Sequence, residues 1–217
     1  MNKLLRIFTL TLVGLASTSL LFHVSQADDA GTVSPNSAQA ESIPAIIKTI
    51  DVGLTAAEET ARNSAVQVVT PSFSGYGSGT YFKIGERHIV LTAAHVVDDR
   101  NHMVILGRGE VKVSRVIYAN HRTDIAFIEL PAPMVSRIPT VLNGNFSPEI
   151  GTHVTYTGFP NNSDLITITG RIAGEQGRYK IMQGYAWMGA SGSGVFDQRG
   201  RVIGIVSMVE VGDYMVP

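Results

Sequence analysis

From Ala65 onward the sequence breaks into short β-prone runs separated by turn-forming residues, and this succession constrains the fold more than any other feature. The turns include Gly85-Glu86-Arg87 and Gln198-Arg199-Gly200. Many short strands at regular spacing are typical of an all-β sandwich or barrel. The predicted strands are Ala65–Thr70, Gly79–Ile84, His88–Leu91, Met103–Leu106, Val111–Tyr118, Ile125–Leu130, His153–Thr157, Leu165–Arg171, Val195–Asp197 and Val202–Val209. Before them, Thr55-Ala56-Ala57-Glu58 has capping-box form and predicts a short helix to about Arg62.

Composition limits the size of the fold and the classes of ligand. A chain of 217 residues with 44% hydrophobic content can bury one sizeable domain, or two small barrels that share a cleft. Its net charge is −1 and it has no basic stripe with interleaved aromatic residues, so no nucleic-acid binding is expected. There is no cysteine, and the six histidines lack tight ligand spacing, so we predict no metal and no cofactor.

The N-terminus has the pattern of an export signal. Basic residues precede an uncharged apolar run from Ile7 to Phe22, and Ser25-Gln26-Ala27 places small residues where an export peptidase cleaves. We predict a signal peptide over residues 1–27, cleaved after Ala27. An uncleaved anchor is the alternative, but the run is rich in Ser and Thr and short for a bilayer span of about 20 residues.

Export of a cysteine-free protein indicates a bacterial periplasm or the cell exterior, with no membrane attachment once the signal is removed. The following residues, 28–54, are polar and rich in Ser, Ala and Asn near their start, which predicts a flexible leader or pro-segment.

A serine framed by glycines lies near the end of the chain, in Gly189-Ala190-Ser191-Gly192-Ser193-Gly194. A tight turn with few Cβ atoms can leave the Ser191 hydroxyl exposed and direct backbone N–H groups at one point. An acyl-transfer nucleophile and its oxyanion site need this arrangement. Glycine–serine clusters are more often plain turns or linkers, so the interpretation depends on a base and an acid elsewhere in the chain.

His95 is the candidate base, because it follows the apolar run Ile89-Val90-Leu91 where small residues end the strand. The ordinary pKa of imidazole, about 6.5, suits proton transfer near neutral pH. The alternative is a core histidine that is hydrogen-bonded to the backbone.

Asp124 is the candidate acid, because it begins the alternating stretch Ile125 to Leu130, which predicts a strand that enters a core. A carboxylate there needs a partner, and an imidazole N–H suits it. Alternatively, Asp124 ends the Asn120–Thr123 turn and caps its own backbone. Asp98 and Asp99 are nearer to His95 in sequence but follow it in a polar loop.

His95, Asp124 and Ser191 occur in an order that resembles the chymotrypsin-like serine peptidases, among them the bacterial HtrA/Deg-like and glutamyl-endopeptidase-like branches. Three segments carry the resemblance: Thr92-Ala93-Ala94-His95, Asp124-Ile125-Ala126 and Gly189-Ala190-Ser191-Gly192-Ser193. Weaker likenesses are Gly77-Ser78-Gly79, Gly158-Phe159-Pro160, Thr169-Gly170-Arg171-Ile172 and Gly204-Ile205-Val206-Ser207. The resemblance covers about residues 64–217 and implies two packed antiparallel six-stranded β-barrels, in a peptidase domain over 55–217. Because the sequence stops at Pro217, complete closure of the second barrel is left open, and no PDZ module is expected.

The resemblance implies a role for each matching residue. Ser191 would be the nucleophile, His95 the general base and then acid, and Asp124 the residue that orients the imidazole. The N–H groups of Gly189 and Ser191 would form the oxyanion hole. Ser207 is expected beside the Asp124 carboxylate.

Substrate contacts follow from the same likeness. Ile205 to Met208 is expected to offer an edge strand to an extended polypeptide. Tyr185, at the base of the primary pocket, and Gly212, in its far wall, imply a neutral, shallow pocket for small or medium apolar side chains. A rival prediction is that Asp213 draws basic side chains.

Two positions depart from the family pattern. Ala190 stands where zymogens of the chymotrypsin type carry an Asp that pairs with a freed N-terminus, so activation by that route is not expected. Ser193 replaces a common Gly, a mild change because the glutamyl-endopeptidase branch also has Ser.

The leading hypothesis is an exported serine endopeptidase that acts on polypeptides through an acyl-enzyme. A non-catalytic peptide-binding module with a degenerate peptidase fold and an esterase with the same triad are the alternatives. Nothing in the sequence specifies an oligomeric state.

Overall fold

The structure, a computed structural model, describes residues 8–14, 53–98, 100–142 and 147–211. The strands in these ranges are β1 (Phe8–Gly14), β2 (Ala65–Val69), β3 (Tyr76–Ile84), β4 (Arg87–Thr92), β5 (His102–Leu106), β6 (Val111–Asn120), β7 (Ile125–Glu129), β8 (His153–Gly158), β9 (Ile166–Gln176), β10 (Tyr179–Gln183), β11 (Gly194–Asp197) and β12 (Val202–Val211). The helices are α1 (Ala56–Ser64), α2 (Ala94–Val97) and a 3-10 turn (Pro160–Asn162). Among these described helices, none has the length and apolar character needed to cross a membrane.

The first barrel closes from six antiparallel strands in the order β2-β3-β4-β7-β6-β5, with β5 pairing back to β2. Alternate side chains of these strands point into a common core, which is the period expected for barrel strands with one buried face. Fully buried members of this core are Val66, Val68, Tyr81, Val90, Met103, Ile105, Ala126 and Ile128. This barrel confirms the prediction of a six-stranded antiparallel β-barrel.

The second barrel contains the strands β8 to β12, which pair in the antiparallel order β10-β9-β8-β11-β12. β1 lies between β10 and β12 and runs parallel to both, which closes the barrel. The antiparallel pairing of β8 to β12 confirms the two-barrel prediction, and β1, which that prediction did not include, adds to this barrel in parallel. β1 belongs to the segment that the sequence predicts to be a signal peptide.

A third apolar cluster joins the two barrels. Phe82 and Leu91 from the first barrel pack with Phe196 and Ile205 from the second, and Ala61 of α1 completes the contact. α1 begins with the predicted capping box, in which the Thr55 hydroxyl accepts from the Glu58 N–H and the Glu58 carboxylate accepts from the Thr55 N–H. This seam holds the facing edges of the barrels in a fixed relation.

All ten predicted strands are present, with their ends shifted by a few residues. The sequence does not predict β10, because Lys180 occupies an inward position beside Met182 and obscures the alternation of apolar residues. The ammonium group of Lys180 pairs with Glu175 on β9, which compensates for its burial. The sequence does not predict β1 as a strand either, because an apolar run that follows basic residues favours a signal peptide over a barrel strand.

Candidate active site

β4 and α2 place His95 at the seam. β4 is buried over its last four residues, and the chain then turns into α2, where Ala94 and Val97 pack inward. His95 lies on the opposite side of this short helix, and its side chain is 47% exposed. The imidazole is therefore not a core residue, which argues against the alternative of a buried structural histidine.

Asp124 immediately precedes β7 and faces the His95 ring. Nδ1 of His95 lies 3.0 Å from Oδ1 and 2.9 Å from Oδ2, and the His95 backbone N–H donates to Oδ1 at 3.0 Å. The Ser207 hydroxyl on β12 donates to Oδ2. Asp124 has φ +53°, a left-handed conformation that a short polar side chain tolerates. Both carboxylate oxygens are thus held by donors from two barrels.

The turn before Asp124 is capped by a different residue. The side-chain oxygen of Asn120 accepts hydrogen bonds from the N–H groups of Arg122 and Thr123, at 3.0 and 3.2 Å. An Asx-type turn of this kind needs no contribution from Asp124. The Asp124 carboxylate, 14% exposed, is free to orient the imidazole instead.

The environment of Asp124 keeps its carboxyl group ionised. Burial alone would raise its pKa, but hydrogen bonds from the His95 ring, the Ser207 hydroxyl and the His95 N–H outweigh that effect and lower the pKa below its ordinary value. An ionised carboxylate accepts and does not donate, so Nδ1 of His95 carries the hydrogen and Nε2 is left to accept a proton.

Ser191 lies in the loop between β10 and β11. Its carbonyl accepts from the Ser78 N–H at 2.8 Å, which ties the loop to β3 of the first barrel. Glycines on both sides have positive φ, +94° at Gly189 and +89° at Gly192, a region that glycine occupies without strain. Neither the Gly189 N–H nor the Ser191 N–H has an acceptor among the described residues. Two N–H groups with this spacing can receive an anionic oxygen.

His95 and Ser191 line one groove of about 400 Å³, with Tyr76, Met188 and Gly189 also on its walls. Within the described residues no hydrogen bond joins the Ser191 hydroxyl to the imidazole. Such contacts are commonly long in sites without substrate and shorten in the complex. The structure therefore brings the base and the hydroxyl to one groove, while it brings the base and the acid into direct contact.

The residues predicted to contact substrate differ in their exposure to solvent. Tyr185 and Met208 are 44% and 45% exposed, whereas Ser207 is buried against Asp124. Gly212 and Asp213 lie outside the described residues. With β1 in place, the edge expected from Ile205 to Met208 is covered, because β1 pairs with β12 from Gly204 to Val211.

One contact that the sequence did not predict joins this site to the first barrel. In the sequence, Ser78 is distinguished only by the glycine-rich segment Gly77-Ser78-Gly79. In the structure its hydroxyl donates to the Gly189 carbonyl at 2.7 Å and accepts from the Phe159 N–H at 2.9 Å. Its position between two glycines at the start of a buried strand is the only signal that the sequence offers.

Comparisons with known proteins place the chain among the serine peptidases by sequence and by fold. A probable periplasmic serine endoprotease of the DegP-like type from Brucella suis is 29% identical over 136 residues, 58% of this chain and 26% of its own length. The serine endoprotease from Yersinia pestis superposes with a TM-score of 0.57 at 25% identity, over 70% of this chain and 57% of that one. The inactive form of the Rv3671c protease of Mycobacterium tuberculosis gives a TM-score of 0.58 at 18% identity, covering 70% and 80%, which supports the fold.

The chain spans about a quarter of the length of the curated relatives that it matches. The family model for the trypsin-like peptidase domain matches residues 77–205, more than half of the chain, and this range includes His95, Asp124 and Ser191. The chain therefore belongs to the trypsin-like peptidase domain family.

Proposed function

We propose that the protein is an exported serine endopeptidase that cleaves polypeptides through an acyl-enzyme. The observation that carries this proposal is the set of hydrogen bonds around Asp124, which orients His95 toward the groove that Ser191 also lines. Family membership supports a peptidase, and relatives named as periplasmic serine endoproteases support export.

In the proposed reaction the Ser191 oxygen attacks the carbonyl carbon of the scissile bond while its proton passes to Nε2 of His95. Asp124 accepts from Nδ1–H and stabilises the imidazolium. The N–H groups of Gly189 and Ser191 receive the negative oxygen of the tetrahedral intermediate. His95 then gives the proton to the leaving amine, and a water molecule activated by the same imidazole releases the acid and restores Ser191.

The proposed substrate is an extended or unfolded polypeptide. The groove beside Ser191 presents exposed apolar surface, since Met188 is 71% exposed and Tyr76 is 37% exposed. Tyr185 would shorten the primary pocket and favour small or medium apolar side chains, whereas a pocket governed by Asp213 would favour basic ones. A cleavage-site profile from a peptide library separates these two outcomes.

The direct test is labelling with a fluorophosphonate probe and digestion of unfolded casein. We expect the wild type to label and to cleave, and Ser191→Ala to do neither. Ser114→Ala is a suitable control, because this buried serine lies on β6 and its hydroxyl donates only to the nearby Lys112 carbonyl. A wild type that binds casein without cleaving it and never labels would contradict the proposal and support a peptide-binding module.

We also propose cleavage of the signal peptide after Ala27. Removal of residues 1–27 would take β1 out of the second barrel and leave the facing edges of β10 and β12 unpaired. N-terminal sequencing of the exported protein tests this proposal, with Asp28 as the expected first residue. An exported protein that still begins before Phe8 would show that β1 is retained.

A further inference from the structure

We propose that Ser78, together with the backbone N–H of Asn161, is a positioning clamp that fixes the peptide groups of the nucleophile loop so that the Gly189 N–H faces the oxyanion. The proposal deepens the peptidase function above and rests on it. Neither residue contacts the reacting atoms, so both would act through the loop rather than as catalytic residues.

The four carbonyl groups from Met188 to Ser191 all accept hydrogen bonds. The Met188 carbonyl accepts from the Asn161 N–H at 2.6 Å, and the Gly189 carbonyl accepts from the Ser78 hydroxyl at 2.7 Å. The Ala190 carbonyl accepts from the Ser193 N–H at 3.0 Å, and the Ser191 carbonyl accepts from the Ser78 N–H at 2.8 Å. With every carbonyl held by a donor, the path of the loop is determined at each peptide plane.

The N–H groups of the same loop divide into two kinds. Those of Ala190 and Gly192 donate to the carbonyls of Trp187 and Val206, at 3.0 and 2.7 Å. Those of Gly189 and Ser191 have no acceptor among the described residues. In a trans peptide the N–H points opposite to the preceding carbonyl, so holding the Met188 carbonyl against Asn161 turns the Gly189 N–H the other way. The Ser78 hydroxyl holds the following peptide plane, Gly189–Ala190, and its bond to the Phe159 N–H fixes the segment that carries the Asn161 N–H.

The direction of the Ser78 hydroxyl bond follows from its two partners. The Phe159 N–H can only donate, and the Gly189 carbonyl can only accept. The Ser78 hydroxyl must therefore accept from the first and donate to the second, with both capacities used at 2.9 and 2.7 Å. Because Ser78 is fully buried, water cannot replace either bond.

The Asn161 contribution depends on an unusual backbone. Asn161 has φ +54° and ψ 32°, and Asn162 follows with φ +52°, so two consecutive non-glycine residues are left-handed. Asn tolerates this region better than most residues, and strain of this kind persists only where the surroundings determine it. The Gln67 side chain of β2 donates to the Asn162 side-chain oxygen at 2.8 Å, which ties the turn to the first barrel.

The clamp therefore joins the two barrels at the loop that carries the nucleophile. Ser78 comes from β3 of the first barrel, whereas Phe159 and Asn161 follow β8 of the second. A movement of one barrel against the other would therefore alter these hydrogen bonds and shift the Gly189 peptide groups. Preorganised donors of this kind are effective because they need no reorientation during the reaction.

Ser78→Ala tests the clamp, with Ser114→Ala as the matched control. Both serines are buried on strands of the first barrel, but the Ser114 hydroxyl donates to the Lys112 carbonyl of its own strand β6. We expect Ser78→Ala to slow fluorophosphonate labelling of Ser191 and casein cleavage by about 10–100-fold, less than the loss of an oxyanion donor itself. Ser114→Ala should label at the wild-type rate.

Two further measurements separate positioning from general damage. Ser78→Ala should weaken binding of a peptide boronate, which forms a tetrahedral adduct, by the same factor as labelling, while binding of the corresponding peptide acid stays unchanged. Crystal structures of both variants should show a reoriented Gly189 peptide in Ser78→Ala alone. Wild-type labelling and an unchanged loop in Ser78→Ala would overturn the clamp. A wild type that never labels would instead overturn the peptidase function, and the crystal structures would still decide the clamp.

Discussion

Replacing Gly192 by Ala would test how the seam between the barrels supports the nucleophile loop. A Cβ atom at this position would lie 2.1 Å from the Ser78 carbonyl oxygen, 2.2 Å from the Thr92 hydroxyl and 2.9 Å from the Ala93 nitrogen. Two of these atoms belong to the backbone and cannot move aside as a flexible side chain would. The residue also has φ +89°, which an L side chain adopts only with strain.

The expected cost has two parts. The left-handed backbone costs about 1–2 kcal/mol for a residue with a Cβ atom. Crowding of a packed site adds about 1–3 kcal/mol. The sum, about 2–5 kcal/mol, is a large share of the roughly 5–15 kcal/mol that stabilises an ordinary domain. For a chain of this length each kcal/mol lowers Tm by about 2–4 °C, so we expect a fall of about 4–20 °C.

Gly177→Ala is the matched control for this variant. Gly177 also has positive φ, +61°, but a Cβ atom there would meet no atom within 4 Å. It should lower Tm by the strain contribution alone, about 2–8 °C. Thermal unfolding followed by circular dichroism measures both variants. Equal losses of stability in the two variants would refute the claim that close packing of the seam around Gly192 supports the loop.

Three other substitutions have defined outcomes. Asp124→Asn should reduce the labelling rate by about 10³–10⁴-fold with an unchanged circular dichroism spectrum, because the imidazole loses its orienting carboxylate. Ser207→Ala should reduce the labelling rate about 10-fold. Because the Ser207 hydroxyl helps to lower the pKa of Asp124, that pKa should rise in the variant, and the loss of labelling rate should grow as pH falls. Glu110→Gln tests stability: the Lys112 ammonium and the Ser136 donors lower the pKa of Glu110 from 4.5 to about 2. Its stabilisation is therefore present above pH 4.5 and lost toward pH 2, so urea unfolding should show a deficit of about 1 kcal/mol at pH 7 that disappears in acid.

Local patterns in the sequence were sufficient for most of the secondary structure. The capping box at Thr55 and the alternation in Ile125 to Glu129 depend on residues a few positions apart, so both could be predicted. β10 could not be predicted, because the charge of Lys180 is acceptable inside only when Glu175 of the neighbouring strand is present. The pairing of β1 with β10 and β12 likewise depends on partners about 170 to 200 residues away.

The succession of strands, the all-β class and the three segments that hold a base, an acid and a hydroxyl can all be predicted from the sequence, because each depends on neighbouring residues. The hydrogen bonds from Ser207 to Asp124 and from Ser78 to the Gly189 carbonyl depend on the folded chain, since these partners lie 83 and 111 residues apart. Such contacts form where the two barrels meet, and the direction of a buried hydrogen bond is set by whichever donors and acceptors packing brings together.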